Sequence, residues 1–275
     1  MFEILKAIVY GIIEGITEWL PVSSTGHMIL AEQIIRFQLS DAFMEMFRVV
    51  IQLGAILAVV VLYWKKLWPF GRKNGHVIAV IPIWKLWFKI LAASIPAACC
   101  LLIDDWIDAH FYNYLTVAAM LILYGVLFIL IERQHLRPQV TRISQITYKD
   151  ALIIGLWQML AVIPGTSRSG ATIVGGLLLG LARPCIAEFT FYLAIPAMVG
   201  ASGYKLLKFF VAGNAVTALE VGVLLTGCAV AFLVSMAAIR FLMNYVKKHD
   251  FTFFGYYRIV LGAMVLVAAA VTALA

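Results

Sequence analysis

Charge is scarce in this chain. Only 13% of its 275 residues are Asp, Glu, Lys or Arg, while 64% are hydrophobic. A soluble domain carries about 25% charged residues, and mean hydropathy here is +0.98. Folded in water, the chain would expose large apolar surfaces, so a soluble protein is excluded. Disorder, collagen and coiled coil are excluded by the same numbers. Cysteine is scarce as well: Cys99, Cys100, Cys185 and Cys228 include no CxxC spacing, and the adjacent pair in an apolar run reads as packing. No HxxxH or Cys/His cluster suggests zinc. No cleaved signal peptide is expected, because Glu3 precedes the apolar start and Glu14 and Glu18 interrupt it. What remains is an all-α polytopic membrane protein, in which backbone groups are satisfied within helices. The net charge of +7 then concerns orientation and not nucleic acid, since Lys and Arg gather in cytoplasmic loops.

Uncharged runs occupy 49–64, 90–103, 115–131, 189–204, 221–239 and 259–275. They predict six spanning helices, extended by flanking aromatic and basic residues. Two other apolar regions are broken by polar residues. The first, 4–35, is interrupted by Pro21 and Ser23-Ser24-Thr25-Gly26-His27, the second, 151–182, by Pro164-Gly165-Thr166-Ser167-Arg168-Ser169-Gly170. Each half is too short to cross, which predicts two re-entrant helix pairs meeting at mid-membrane, where non-helical backbone is tolerated only around an enclosed cavity.

Basic residues lie between the first two expected spans (Lys65, Lys66, Arg72, Lys73, Lys85, Lys89), after the third and before the last. Asp104, Asp105 and Asp108 lie between the second and third. Basic loops inside put both termini on the outer face; Lys205 and Lys208 run against the trend. Gly11, Glu14, Ser23, Ser24, Thr25 and Gly26 align with Gly155, Gln158, Ser167, Arg168, Ser169 and Gly170 at a constant offset of 144. Three spans separate the copies, so they enter from opposite faces, as in an inverted-topology repeat with its site at the midplane. Chance likeness of apolar text is the alternative. The expected layout is a single domain over 1–275, with repeat 1 at about 1–133 and repeat 2 at about 150–275.

Several residues stand out chemically. Glu14 and Glu18 share a helical face at i and i+4, and intramembrane carboxylates need a cation, a proton or an arginine nearby. Hydration near the outer interface is the alternative. Arg168 is the only charge between Asp150 and Arg183; its planar fork suits a phosphate, with Ser167, Ser169 and Thr172 adding hydroxyls. A structural Arg–Glu brace between the repeats is the other reading, and both can hold. Ser23-Ser24-Thr25-Gly26-His27 supplies candidate nucleophiles and a base, with His27 in reach of Ser24; capping of a helix at Gly26 explains it as well. Glu188 is either a support for Arg168 or a helix N-terminal acid.

The run Glu14-Gly-Ile-Thr-Glu18-Trp-Leu-Pro21-Val-Ser-Ser-Thr-Gly-His27 resembles the (E/Q)xxxE and Ser/His signature of the BacA/UppP undecaprenyl-diphosphatases. Pro164-Gly-Thr-Ser-Arg-Ser-Gly-Ala-Thr172 is similar to that family's PGxSRSxxT signature at every fixed position, and the resemblance covers essentially the whole chain. It implies a bacterial inner-membrane enzyme that removes one phosphate from undecaprenyl diphosphate on the outer face. Such an enzyme regenerates the lipid carrier for peptidoglycan synthesis, and overproduction is associated with bacitracin resistance. The family pattern implies Ser24 as nucleophile, His27 as its acid/base partner and Glu18 as the group orienting them. Arg168, Ser167 and Thr25 would grip the diphosphate, with Ser169 beside them and Glu14 lining the site. It also implies a divalent cation, magnesium or calcium, for which Glu14 and Glu18 are the candidate oxygen ligands; the residues themselves show no metal site, and no organic cofactor is expected. Expected partners are the lipid substrate and membrane lipids. Inverted repeats with broken helices are also a transporter layout, so a polyprenyl-phosphate flippase is the rival from another class.

Overall fold

A membrane leaves an apolar chain one economical way to satisfy its amides, the α-helix, and helices dominate the computed structural model, which describes residues 2–73, 76–100 and 103–274. The chain opens with α1 (Phe2–Thr17) and α2 (Ser24–Ile34), then α3 (Asp41–Val50) and α4 (Gln52–Leu62), almost continuous through Ile51, and a single turn, α5 (Trp64–Leu67). A short antiparallel hairpin follows, β1 (Phe70–Lys73) with β2 (His76–Ala79), pairing Phe70 with Ala79. Then come α6 (Ile81–Cys100), α7 (Asp104–Phe111), α8 (Tyr114–Arg133), α9 (Tyr148–Met159), α10 (Arg168–Leu178), α11 (Arg183–Val211), α12 (Ala218–Tyr245) and α13 (Thr252–Leu274).

Six stretches among the described residues are long and apolar enough to cross a membrane: Asp41–Leu62, Ile81–Cys100, Tyr114–Arg133, Arg183–Val211, Ala218–Tyr245 and Thr252–Val271. Each overlaps one of the six expected spans, the third, fourth and fifth covering it in full, and the protein is an all-α polytopic membrane protein. The first span begins at Asp41 rather than at 49, and so carries Glu45 and Arg48. Both are paired: Lys205 lies 3.0 Å from Glu45, and Arg48 lies 2.6 Å from Glu32. Lys205, which ran against the charge trend, is thus a partner for a carboxylate. The side chains of Asp104, Asp105 and Asp108, on which the outer-face assignment leans, lie outside the described residues, as do Leu101 and Leu102 of the second expected run.

The two interrupted regions behave alike. Helices α1, α2, α9 and α10 have 16, 11, 12 and 11 residues, and at 1.5 Å per residue each falls short of a hydrocarbon core about 30 Å thick. Both breaks end on a serine in the left-handed region, Ser23 at φ 71° and Ser167 at φ 67°, a conformation costly for any residue with a Cβ. Each serine then caps the next helix: Ser23 Oγ accepts from the Gly26 amide at 3.4 Å, and Ser167 Oγ from the Gly170 amide at 3.2 Å. The offset of 144 read from the sequence therefore joins two residues with the same unusual backbone and the same capping bond.

Packing repeats with exchanged partners. Helix α1 lies along α12 while α9 lies along α6; α2 packs on α13 while α10 packs on α8; and α8 packs on α13. The aligned glycines make the first two contacts close. A Cβ at Gly11 would stand 2.7 Å from the Gly227 carbonyl oxygen, and one at Gly155 would stand 2.3 Å from that of Ala93. Reciprocal exchange of this kind is what a two-fold relation between halves produces. Trp19 is fully buried between the halves, edge-on to Phe191 with centroids 5.3 Å apart. The outward faces of the spans stay apolar, with Leu91, Ile95, Leu123, Leu130, Leu225 and Leu233 all exposed, as a lipid-facing surface requires.

Candidate active site

The breaks of the two re-entrant pairs meet, and their residues bond across the meeting. Glu18 continues the last turn of α1, its amide donating to the Glu14 carbonyl at 3.0 Å. Ser24 opens α2, and its hydroxyl donates to Glu18 Oε2 at 2.9 Å. From the other break, Arg168 Nη2 donates to Glu18 Oε1 at 3.1 Å while Nη1 donates to the Thr190 carbonyl at 3.0 Å. The guanidinium also lies over the Trp19 ring, 5.8 Å from its centroid, a cation–π contact. One carboxylate thus holds a serine hydroxyl on one oxygen and an arginine on the other, and both members of the ion pair are nearly buried. Arg168 Nε and Glu14 Oε1 are among the buried polar atoms here that have no hydrogen-bond partner among the described residues.

Two cavities adjoin here. One, of about 290 Å³, is lined by Glu18, Ser24, Thr25, Gln158, Ser167 and Arg168, with apolar walls from α6, α11 and the segment after α9. The other, of about 400 Å³, is lined by Glu14, Ser24, Thr25, Glu45, Arg48 and Lys205. Ser24, Thr25 and Gln52 belong to both, so Ser24 stands where an apolar-walled chamber meets a charged one. A hydroxyl on a carboxylate, beside a guanidinium able to bind phosphate, is an arrangement suited to phosphoryl transfer.

The family model described as bacitracin resistance protein BacA matches residues 7–264. The chain belongs to the BacA family. Relatives named undecaprenyl-diphosphatase include one from Streptococcus sanguinis strain SK36, 57% identical over 277 residues, covering 100% of this chain and 99% of the relative. Another, from Desulfitobacterium hafniense strain DSM 10664 / DCB-2, is 59% identical over 270 residues, covering 97% and 96%. A third, from Streptococcus mutans serotype c strain ATCC 700610 / UA159, is 57% identical over 270 residues, covering 96% and 95%.

Within this BacA fold, Ser24, Glu18, Arg168, Ser167 and Thr25 converge on one cavity, and Glu14 lines its neighbour. Three placements differ from readings of the sequence. His27 does not reach Ser24: its Nδ1 lies 2.7 Å from the Ser23 carbonyl and its Nε2 lies 2.7 Å from the Tyr257 hydroxyl. A carbonyl can only accept, so Nδ1 carries a proton, and in the neutral ring Nε2 accepts from Tyr257. The ring also stacks on Tyr257, so its hydrogen bonds and its ring contact lie with Ser23 and Tyr257 rather than with the Ser24 hydroxyl. Ser169, expected beside the diphosphate, is buried, with its hydroxyl 3.2 Å from the Glu18 carbonyl and 3.1 Å from Ser167 Oγ; it ties one break to the other. Glu188 does not support Arg168 either, being paired with Lys66 at 2.7 Å.

Sequence reasoning missed Arg258. It is fully buried and donates to the carbonyls of Pro21 at 3.2 Å, Gly165 at 3.0 Å and Thr166 at 2.9 Å, so it clamps both breaks at once. Its signal was present: Arg258 is the only charge after Asp250, and a lone arginine in such a run is costly unless its five donors are used. Among the described residues no group of three or more His, Cys, Asp or Glu side chains is placed to hold a metal ion.

Proposed function

We infer that this chain hydrolyses undecaprenyl diphosphate to undecaprenyl phosphate and inorganic phosphate. The observation that carries the reading is the shared carboxylate, with Ser24 at 2.9 Å on one oxygen of Glu18 and Arg168 at 3.1 Å on the other. A diphosphate arriving in the cavity competes with Glu18 for Arg168. As the guanidinium turns to the phosphate, Glu18 loses its counter-charge and becomes a better base for the Ser24 proton. Ser24 Oγ attacks the terminal phosphorus and its proton passes to Glu18. The bond to the bridging oxygen breaks, and that oxygen's electron pair leaves with the lipid phosphate. Water then cleaves the phosphoserine, Glu18 returning the proton to Ser24 Oγ. In this reading Glu18, and not His27, serves Ser24, because both ring nitrogens of His27 are engaged elsewhere.

Access from the outer face is part of the proposal. The charged cavity is lined by Glu45, Arg48, Tyr112 and Lys205, which come from α3, the last third of α11 and the segment after α7. Basic-inside orientation assigns all of these to the outer side, which supports a bacterial inner-membrane enzyme that recycles the peptidoglycan carrier and, overproduced, confers bacitracin resistance. A divalent cation fits the donors in part. Glu14 offers a buried oxygen without a partner among the described residues, and Glu18 lies one turn on; a hard cation needs about six oxygens, so phosphate and water oxygens would complete the set. Bound there, it would neutralise phosphate charge. The exchanged helix packing favours one other reading, a polyprenyl-phosphate flippase. Phosphate release by the purified protein in detergent, where no vectorial transport is possible, separates the two. The account expects release from undecaprenyl diphosphate, reduced by chelator; an inactive protein that moves lipid phosphate across vesicles would contradict it.

A further inference from the structure

Gln158 holds the position in the second half that Glu14 holds in the first. It sits near the end of α9, is 3% exposed, and neither its Oε1 nor its Nε2 has a hydrogen-bond partner among the described residues. A buried amide with every hydrogen bond unmade is rare and costly. Gln158 lines the same cavity of about 290 Å³ as Ser24 and Arg168, and Arg168 Nε is a further buried donor without a hydrogen-bond partner among the described residues. Two orphaned N–H groups on one cavity call for an acceptor, and a guanidinium next to a neutral amide favours an anionic one.

The two cavities indicate which part of the anion. Ser24 lies at their junction. The charged cavity on one side holds Glu14, Arg48 and Lys205, while the one containing Gln158 has walls of Ala161, Val162, Pro196 and Met198. An alkyl chain suits the second and released inorganic phosphate suits the first. With Ser24 at the terminal phosphorus, the phosphate that carries the alkyl chain falls on the Gln158 side. The repeat then differs where the chemistry differs: a carboxylate at this position would repel the departing anion, whereas an amide donates to it.

We propose that Gln158, together with Arg168 Nε, binds the lipid-bearing phosphate of the substrate, which is the leaving group of the reaction. The proposal rests on the phosphatase reading and adds a further substrate-contacting residue to that site. Charge grows on this phosphate as the bridging bond breaks, so donors aimed at it stabilise the transition state more than the ground state.

The test uses the full-length protein in detergent, with farnesyl phosphate as a probe of the lipid-bearing phosphate and inorganic phosphate as a probe of the terminal one. In Gln158→Leu, the dissociation constant for farnesyl phosphate rises about tenfold or more, as expected for a lost hydrogen bond to a charged group. Binding of inorganic phosphate stays within about twofold, and kcat/KM falls about ten- to a hundredfold. The thermal unfolding midpoint does not drop, because no internal bond is lost; a merely structural role predicts the reverse pattern. If Gln158→Leu fails to fold, Gln158→Glu keeps the size and carries the same prediction with an added repulsion. Wild-type affinity for farnesyl phosphate in either folded variant, or equal weakening of both probes, overturns the proposal. Absence of phosphate release by the wild type would overturn the phosphatase reading, while the binding measurements would still decide the role of Gln158.

Discussion

Replacing Arg168 by lysine keeps the charge and removes the fork. In the structure the guanidinium makes two directed bonds, to Glu18 Oε1 at 3.1 Å and the Thr190 carbonyl at 3.0 Å, and its buried Nε has no partner among the described residues. A lysine ammonium on a flexible stem can stay paired with Glu18, but it cannot hold that geometry, lie flat over Trp19 and offer two parallel donors to phosphate. The loss is one to two charge-assisted hydrogen bonds at about 1.5–3 kcal/mol each, or roughly 2–5 kcal/mol in all. At about 1.4 kcal/mol per decade, kcat/KM for phosphate release should fall on the order of 10² to 10³-fold. Because the charge pair with Glu18 persists, the buried carboxylate is not stranded, and insertion and unfolding temperature should change little. Phosphate release in detergent, read beside thermal unfolding, measures both. Turnover within about threefold of wild type would mean that a point charge suffices and would refute the bidentate role.

Two further predictions concern the scaffold. In Gly155→Ala the new methyl would stand 2.3 Å from the Ala93 carbonyl oxygen, so α9 must move off α6; overpacking of this kind costs about 1–3 kcal/mol, and an unchanged unfolding temperature would contradict the close approach. For orientation, a cysteine replacing His76 in the hairpin should react only with reagents that reach the cytoplasm, and one replacing exposed Trp106 in α7 only with external ones; the opposite labelling would turn the charged cavity inward.

Much of this architecture was legible because membrane helices leave a strong one-dimensional signal. Uncharged runs marked the six spans, and Pro21 and Pro164 with their serine-rich followers marked the two breaks. The fixed offset of 144 marked the repeat, since it matched polar residues rather than apolar text. Span ends were less legible. The first span starts at Asp41 because Glu45 and Arg48 find partners in α11 and at Glu32, and no local pattern announces a partner 160 residues away. Side-chain direction was the least legible. Spacing put His27 near Ser24, yet its ring turns to Tyr257, 230 residues on. Arg258 went unread, because its role depends on three carbonyls from two distant breaks. The unmade bonds of Gln158 exist only once α9 is buried.

In the proposed mechanism Ser24 is the nucleophile, activated by Glu18. Ser23 and Ser24 are neighbours with different partners: Ser23 Oγ caps the Gly26 amide at 3.4 Å, while Ser24 Oγ donates to Glu18 at 2.9 Å. A lost cap costs about 0.5–2 kcal/mol of stability, whereas a lost nucleophile removes the covalent route. The deciding measurement is the rate of phosphate release from undecaprenyl diphosphate by Ser24→Ala, with Ser23→Ala as the control and substrate affinity measured for both. The account predicts that Ser24→Ala binds substrate and unfolds like the wild type but is nearly inactive, while Ser23→Ala keeps substantial activity. A Ser24→Ala protein retaining more than about a tenth of the wild-type rate, a barrier change of only about 1.4 kcal/mol, would contradict it and transfer the attack to water.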